Sequence, residues 1–195
     1  CTMNLFLWGA LPYIAFTFLI VGTLVRFFYF ERNWTTKSSE FLEKKQLRIA
    51  NPLFHFGLLC VIGGHVVGVL VPKAWTAAMG INDHMYHEGA LYMGAVAGII
   101  FIVGFLLLMK RRFTVPAMKV NTSGLDKWLY LFLTLAIFSG MAGTLLNASG
   151  FFDYRVSIGP WFRSLLSFMP DPSLMEGVPF MFKFHMLAWM VVAII

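Results

Sequence analysis

The chain has 195 residues, of which 59% are hydrophobic and 12% are charged, and its mean hydropathy is +0.76. Soluble globular domains have about one quarter charged and about one half apolar residues, so this composition excludes an ordinary soluble domain and indicates an integral membrane protein. The formal net charge of +6 does not indicate nucleic-acid binding, because the basic residues lie beside apolar blocks, where they set membrane topology. Cys1 and Cys60 form no CxxC pair and no thiolate cluster, so they leave the redox compartment open.

Five apolar blocks follow one another along the chain, and each is about as long as a membrane-spanning helix. The blocks are continuous and do not alternate, which favours helices over the strands of a barrel. We therefore predict an all-α integral membrane bundle that forms a single domain over residues 1–195. Its five transmembrane helices are expected at about 5–30, 51–71, 89–109, 125–147 and 178–195.

The two ends of the chain carry further expectations. The first residue is Cys1 and not methionine, so we expect the natural start to be missing or processed. No basic segment precedes the first block, which favours a retained span over a signal peptide. The fifth block is still apolar at Ile195, so we expect a last helix that is truncated there.

Lysine and arginine are concentrated in alternate connections, and this pattern predicts which side each connection faces. The first and third connections are rich in basic residues, whereas the second holds Lys73 alone and the long fourth holds Arg155 and Arg163. Positively charged connections stay in the cytoplasm. We therefore expect the first and third connections inside and the amino terminus outside. In the fourth connection, the run WFRSLLSFM at 161–169 predicts a short helix in the membrane interface.

Two histidines, His55 and His65, lie in the second predicted span. Ten residues of helix separate them by roughly 15 Å, which places one toward each leaflet. Polar rings inside a bilayer usually mark function, and neutral imidazole is a common axial ligand of haem iron. Gly64 and Gly68 would let a flat group lie against the helix backbone. The pattern favours one ligand for each of two stacked haems; the alternative is a pair of histidines bonded to neighbouring helices.

A third histidine, His185, lies in the fifth predicted span at a depth similar to that of His65, roughly 10 Å from the outer end. Antiparallel neighbours at equal depth could hold one iron from both sides, although both residues could instead be buried on packing faces. His55 would need a partner about ten positions beyond His185, and no histidine follows there. Either the second site lacks a ligand in this chain, or the chain ends before that ligand.

Several longer runs carry a resemblance to a known family. NPLFHFGLLCVIGGHVVGVLVP, WTTKSSEFLEKK, GINDHMYH, DYRVSIGPWFR and PDPSLMEGVPFMFKFH together resemble the gamma subunit of membrane-bound respiratory nitrate reductase over essentially the whole chain. The resemblance implies a di-haem cytochrome b in the bacterial cytoplasmic membrane. It implies that His65 and His185 ligate the outer haem b and that His55 ligates the inner one, whose second histidine in the family lies beyond the position of Ile195.

The resemblance also implies the activity and the partners. Quinol is oxidised near the outer haem, and electrons pass to an iron–sulfur beta subunit and a molybdenum-containing alpha subunit that reduces nitrate in the cytoplasm. It associates the chain with anaerobic respiration and with nitrate assimilation. The chain has no molybdopterin motif, cysteine cluster or nucleotide loop, so we expect no nitrate chemistry from it alone.

A quinol site needs a proton acceptor near the outer haem. His84 and His87, which we place in the second loop, lie on the expected side, and imidazole accepts protons near neutral pH; the alternative is that both are solvated loop histidines. Arg26 is expected to extend to the cytoplasmic interface, or alternatively to pair with a haem propionate. Gly64 and Gly68 are expected to pack against haem.

Two other functions stay open at this point. Related membrane cytochrome b subunits serve sulfur-reducing and heterodisulfide-reducing complexes. A haem-free membrane anchor or transporter, whose histidines handle protons or metal, is the third possibility. Nucleic acid is not expected as a partner in any of the three.

Overall fold

The computed structural model describes residues 2–29, 43–120 and 122–195, and throughout these ranges the regular secondary structure is helical, with no strand. Much of WTTKSSEFLEKK, with Arg32 and Lys37, lies outside the described residues. The helices are α1 (Thr2–Tyr29), α2 (Lys45–Leu70), α3 (Lys73–Ala78), α4 (Asp83–Thr114), α5 (Pro116–Val120), α6 (Gly124–Leu146), α7 (Ile158–Leu166) and α8 (Phe180–Ile194), with a 3-10 turn at Pro172–Met175.

Four helices in the described ranges, α1, α2, α4 and α6, are long and apolar enough to cross a membrane. α8 is apolar over its 15 residues but shorter than the roughly 20 residues of a usual span. The all-helical architecture and four of the predicted spans are confirmed. The fifth predicted span corresponds to α8, and its crossing of the membrane, like the outside location of the amino terminus, stays a prediction.

Two helices begin earlier than the predicted spans, because a helix continues into polar sequence where an apolar segment stops. α2 begins at Lys45 and not at about residue 51. α4 begins at Asp83 and not at about residue 89, since the Asn82 side chain caps it by accepting a 2.8 Å hydrogen bond from the Met85 backbone N–H. The expectation that His84 and His87 lie in a loop is therefore corrected: both lie on the first turns of α4.

α2 and α4 pack backbone to backbone, and two glycines make this approach possible. A Cβ added at Gly57 would lie 2.5 Å from the backbone nitrogen of Phe101, and one added at Gly104 would lie 2.6 Å from the Cα of Phe54. The apolar core beside this contact is formed by Phe101 and Phe105 of α4 together with Ile137 of α6. α8 packs against both α1 and α6, so the long helices form a tight α2–α4 pair and an α1–α6–α8 group, joined where α4 meets α6.

α7 covers one end of the bundle. It spans Ile158–Leu166, slightly earlier than the predicted 161–169, and it buries Ile158, Trp161 and Leu165. The Trp161 indole donates a 2.8 Å hydrogen bond to the Trp8 carbonyl, and the two rings meet edge to face at 5.7 Å. The apolar face of this helix therefore packs on protein, which fixes the connection 147–179 against the bundle.

The two ends of the bundle differ in their polar contacts. The Lys73 end consists of α3, the first turns of α4 and the connection 147–179. The Arg111 end consists of Glu43, the last turns of α4 and the start of α6, where Arg111 donates to a Glu43 carboxylate oxygen at 2.9 Å. The Glu43 carboxyl accepts a hydrogen bond from the Gln46 backbone N–H, and this bond, together with Arg111, lowers the pKa of that carboxyl. Arg112 pairs with Asp126 at 3.2 Å at the same end.

Candidate functional site

The imidazole rings of His65, on α2, and His185, on α8, lie opposite each other. Their centroids are 5.9 Å apart and their planes differ by 25°. Two metal–imidazole bonds of about 2 Å each, with half the width of each ring added, span roughly 6 Å. The separation is that of a pair of imidazoles that ligate one iron from opposite sides, and it also lies within the range of offset ring stacking.

A hydrogen bond fixes the tautomer of each ring. His65 Nδ1 lies 2.7 Å from the Val61 carbonyl oxygen, and His185 Nδ1 lies 2.8 Å from that of Ala136. Since a carbonyl oxygen only accepts, each Nδ1 carries the proton and each Nε2 keeps the lone pair that binds metal. A backbone carbonyl behind a histidine ligand orients the ring and increases its basicity. Both residues therefore have the donor chemistry of axial haem ligands.

α6 holds the His185 ring from the side. A Cβ at Gly140 would lie 2.7 Å from the Cε1 of His185, so the ring occupies the space that any larger residue would need. The hydroxyl of Ser139 lies 3.3 Å from Nδ1 of the same ring, and Trp189 meets the ring edge to face at 6.5 Å. Ser139 and Gly140 were not predicted from the sequence, where they are only a pair of small residues within an apolar span.

The two glycines that we expected beside haem have different surroundings. Gly64 is exposed, and a Cβ built there meets no atom within 4 Å, so the α2 backbone next to His65 is open to a flat group. Gly68 is buried, and a Cβ built there would lie 3.1 Å from the Tyr154 ring and 3.4 Å from the Tyr86 hydroxyl, so the space beside it is filled. Of the two, Gly64 has the room that haem packing requires.

His55 lies on the same helix toward the Arg111 end. It is exposed, and its Nδ1 donates to the Asn51 carbonyl at 2.9 Å, which leaves Nε2 with the lone pair as in the other two histidines. Within 2–29, 43–120 and 122–195, no group of three or more His, Cys, Asp or Glu residues is placed to hold a metal ion. A haem with two axial histidines does not need such a group.

The model of the nitrate reductase gamma subunit family matches residues 4–195. The chain belongs to the nitrate reductase gamma subunit family. It is 46% identical over 190 residues to the nitrate reductase gamma chain of Bacillus subtilis, covering 97% of this chain and 85% of the relative. It is 27% identical over 190 residues to the respiratory nitrate reductase 1 gamma chain of Escherichia coli, covering 96% and 84%. The nitrate reductase-like protein NarX of Mycobacterium tuberculosis is 38% identical over 183 residues, covering 92% of this chain and 28% of that protein.

This gamma subunit carries its other candidate residues at opposite ends of the bundle. His84 is exposed at the Lys73 end, and His87 Nε2 there donates to the Ala148 carbonyl at 3.1 Å, which leaves Nδ1 of His87 as the acceptor. Arg26 is exposed in the last turn of α1. Trp8, near the start of α1, contacts α7 at the Lys73 end, and 18 residues of helix add roughly 27 Å. Arg26 therefore lies far from the His65–His185 pair.

A polar cluster that was not predicted from the sequence lies at the Lys73 end of the bundle, beside the end of α2 at Leu70. Lys73 bridges two carboxylates, Asp83 at 2.8 Å and Asp153 at 3.0 Å, and its hydrogen bonds, first to Asp83 and then to Asp153, raise the pKa of the ammonium group. Arg155 lies over the Tyr86 ring at 3.7 Å and donates a 2.5 Å hydrogen bond to the hydroxyl of Thr76. In the sequence, Lys73 and Arg155 indicate only topology, because no local pattern shows that connections about 80 residues apart meet.

Proposed function

We propose that this chain is the quinol-oxidising cytochrome b subunit of a respiratory nitrate reductase, with the Lys73 end facing outward. It would pass electrons from quinol toward an iron–sulfur beta subunit and a molybdenum-containing alpha subunit on the cytoplasmic side of a bacterial membrane. The observation that carries the proposal is the apposition of His65 and His185 at 5.9 Å. Family membership supports the choice of nitrate over sulfur or heterodisulfide as the acceptor of the complex.

His65 and His185 would hold the iron of one haem b through Nε2. Haem, when bound, supplies a one-electron carrier whose potential depends on its ligands and on the surrounding polarity. The chain supports this role with two orienting carbonyls and with the open backbone at Gly64. Gly140 gives the His185 ring its place. Haem b therefore fits the donor set of these residues.

His55 would supply one ligand of a second, inner haem b. Its ring has the same Nδ1–carbonyl hydrogen bond as the other two histidines, which supports a ligating Nε2. No second histidine faces it among the described residues, so this part of the proposal rests on the resemblance and on the tautomer.

His84 and His87 would accept the protons that quinol releases at the Lys73 end. A neutral imidazole accepts a proton at Nδ1 or Nε2, and in His87 the Ala148 carbonyl already holds the Nε2 proton, so Nδ1 is its acceptor. Electrons that cross toward the cytoplasm while protons leave outside carry charge across the bilayer, which is worth about 2.3 kcal/mol per electron per 100 mV. The curated relatives of Escherichia coli are named respiratory, which favours respiration over the nitrate assimilation also expected from the resemblance.

A reduced-minus-oxidised optical spectrum of the purified membrane protein tests the proposal. We expect a b-type signal that loses the same component in His65→Ala and in His185→Ala. Cys60→Ala is the matched control, because Cys60 is exposed on the same helix and should leave the signal intact. Absence of a b-type signal in the wild-type protein would instead favour a haem-free anchor or transporter.

A further inference from the structure

Arg155 is a buried cation in the connection between α6 and α7. It is 5% exposed, and no carboxylate of the described residues lies within ion-pairing distance of its guanidinium. Its side chain contacts the Thr76 hydroxyl and the face of the Tyr86 ring, while Nε is buried without a hydrogen-bond partner in the described part of the chain. A buried charge is stabilised when it is paired and hydrogen-bonded, so this arrangement calls for an anion.

The acidic groups near Arg155 are already engaged. One oxygen of Asp153 accepts from the Arg155 backbone N–H and the other pairs with Lys73, which also binds Asp83. The guanidinium of Arg163, in α7, is instead hydrogen-bonded to backbone, since it donates to the Val69 carbonyl at 2.7 Å. Arg155 is therefore a buried cation whose charge is balanced by no carboxylate of the described residues.

The cluster connects this cation to α2 about one helical turn from the proposed haem ligand His65. The hydroxyls of Tyr86 and Tyr154 both lie against Gly68, each 3.4 Å from the position of a Cβ there. Gly68 follows His65 by three residues, which is about one helical turn. The Tyr86 ring, stacked on the Arg155 guanidinium, thus connects that cation to the α2 turn just outward of His65.

We infer that Arg155 binds a carboxylate of the haem held by His65 and His185. The inference rests on the proposed function. Every haem b carries two propionate carboxylates, and a guanidinium is the side chain best suited to bind a carboxylate through paired hydrogen bonds. Lipid phosphate offers similar chemistry, so binding of phosphatidylglycerol has to be measured beside the haem potential. Arg155, and not Arg26 at the far end of α1, is therefore the proposed propionate partner of the haem held by His65 and His185.

Redox titration in the intact membrane complex tests the inference. The haem to be followed is the component lost in His65→Ala. In Arg155→Gln we expect its midpoint potential to fall by at least a tenfold change in the reduction equilibrium, about 59 mV for one electron, because a cation near the haem favours the reduced state. We also expect the midpoint to depend more steeply on pH, since an unpaired carboxylate takes up a proton on reduction. Arg155→Lys should retain most of the potential and a shallow pH slope.

Arg163→Gln is the matched control, because it removes the same charge from the same connection. A wild-type midpoint and pH slope in Arg155→Gln, or an equal change in Arg163→Gln, overturns the inference. So does a variant that only loses bound phosphatidylglycerol in vesicles of defined composition, which would assign Arg155 to lipid. If Arg155→Gln does not accumulate, Thr76→Ala decides by its pH slope, because it removes the hydroxyl that positions the guanidinium but leaves the charge. A steeper slope supports the inference and a wild-type slope overturns it. A wild-type protein without b-type haem overturns the proposed function as well, so the two failures are distinguishable.

Discussion

The ring of His185 occupies the space that a side chain at position 140 would fill, since a Cβ at Gly140 would lie 2.7 Å from its Cε1 and 3.1 Å from its Nδ1. The same Nδ1 donates to the Ala136 carbonyl, so one edge of the ring is both hydrogen-bonded to α6 and packed against its bare backbone at Gly140. Ring and backbone therefore fit only while residue 140 has no side chain.

Gly140→Ala should reduce haem content. The new methyl group cannot coexist with the present ring position, so the imidazole must turn away from Ala136 and from His65. We expect loss of most of the b-type signal that depends on His65, measured as haem per protein by a reduced-minus-oxidised spectrum. Gly143→Ala, one turn along α6, is the control, because its Cβ would meet Phe182 at an ordinary 3.8 Å. Equal haem content in the two variants would contradict the fit described above.

Gly104→Ala should destabilise the fold without involving the haem ligands directly. Its Cβ would lie 2.6 Å from the Phe54 Cα, and backbone cannot move aside as a side-chain end can. Forcing α2 and α4 apart should cost about 1–3 kcal/mol, as overpacking does in other cores. Thermal unfolding in detergent measures this cost. Gly94→Ala on the same helix meets nothing within 4 Å and should be neutral or slightly stabilising; a comparable loss there would refute the packing explanation.

The spans could be predicted from the sequence because apolar length is a local property. The positions of α1, α6 and most of α2 and α4 follow from it. The ends of α2 and α4 could not, because polar residues such as Lys45 and His84 continue a helix in water as readily as they form a loop. The Asn82 cap, which decides the start of α4, is a short side-chain contact that an apolar segment count does not detect.

The site was only partly accessible to sequence reasoning, for a related reason. Equal depth in two antiparallel spans predicts that His65 and His185 can meet, and the structure brings their rings together. Which residue of α6 faces His185 depends on how that helix is rotated about its axis. A helix that is apolar all round carries little information about its rotation. The sequence therefore could not predict that Ser139 and Gly140 face His185, or that Arg155 contacts Tyr86.

Lys73→Met should destabilise the Lys73 end in a pH-dependent way. Hydrogen bonds to Asp83 and Asp153 raise the pKa of Lys73 above its ordinary 10.5. A raised pKa in the folded state contributes stability that is fully present below the unfolded value and is lost as pH rises through the folded value. The pair is partly exposed, so we expect only about 1 kcal/mol at neutral pH, and the difference from wild type should vanish in strongly alkaline buffer.

Thermal unfolding at neutral and at strongly alkaline pH measures this difference. Lys127→Met is the control, because Lys127 is exposed on the first turn of α6, away from the Lys73 end. Asp83→Asn should reproduce part of the effect, since Asp83 is the principal partner of Lys73. A Lys73→Met variant that differs from wild type equally at both pH values would argue against an ionic contribution.

His84→Gln and His87→Gln should slow the reduction of haem by quinol without lowering haem content. Glutamine can still donate a hydrogen bond, so His87→Gln can keep the contact with the Ala148 carbonyl, but neither variant can take up a proton near neutral pH. If one of the two histidines accepts the quinol proton, the rate should fall by about 10²–10⁴-fold in that variant, the usual contribution of general base catalysis.

Stopped-flow reduction of the b-type signal by a soluble quinol analogue measures the rate, and Met85→Leu, between the two histidines, is the matched control. Wild-type rates in both single variants and in the double variant would exclude these imidazoles as proton acceptors, and the proton would then have to leave through another group of the Lys73 end.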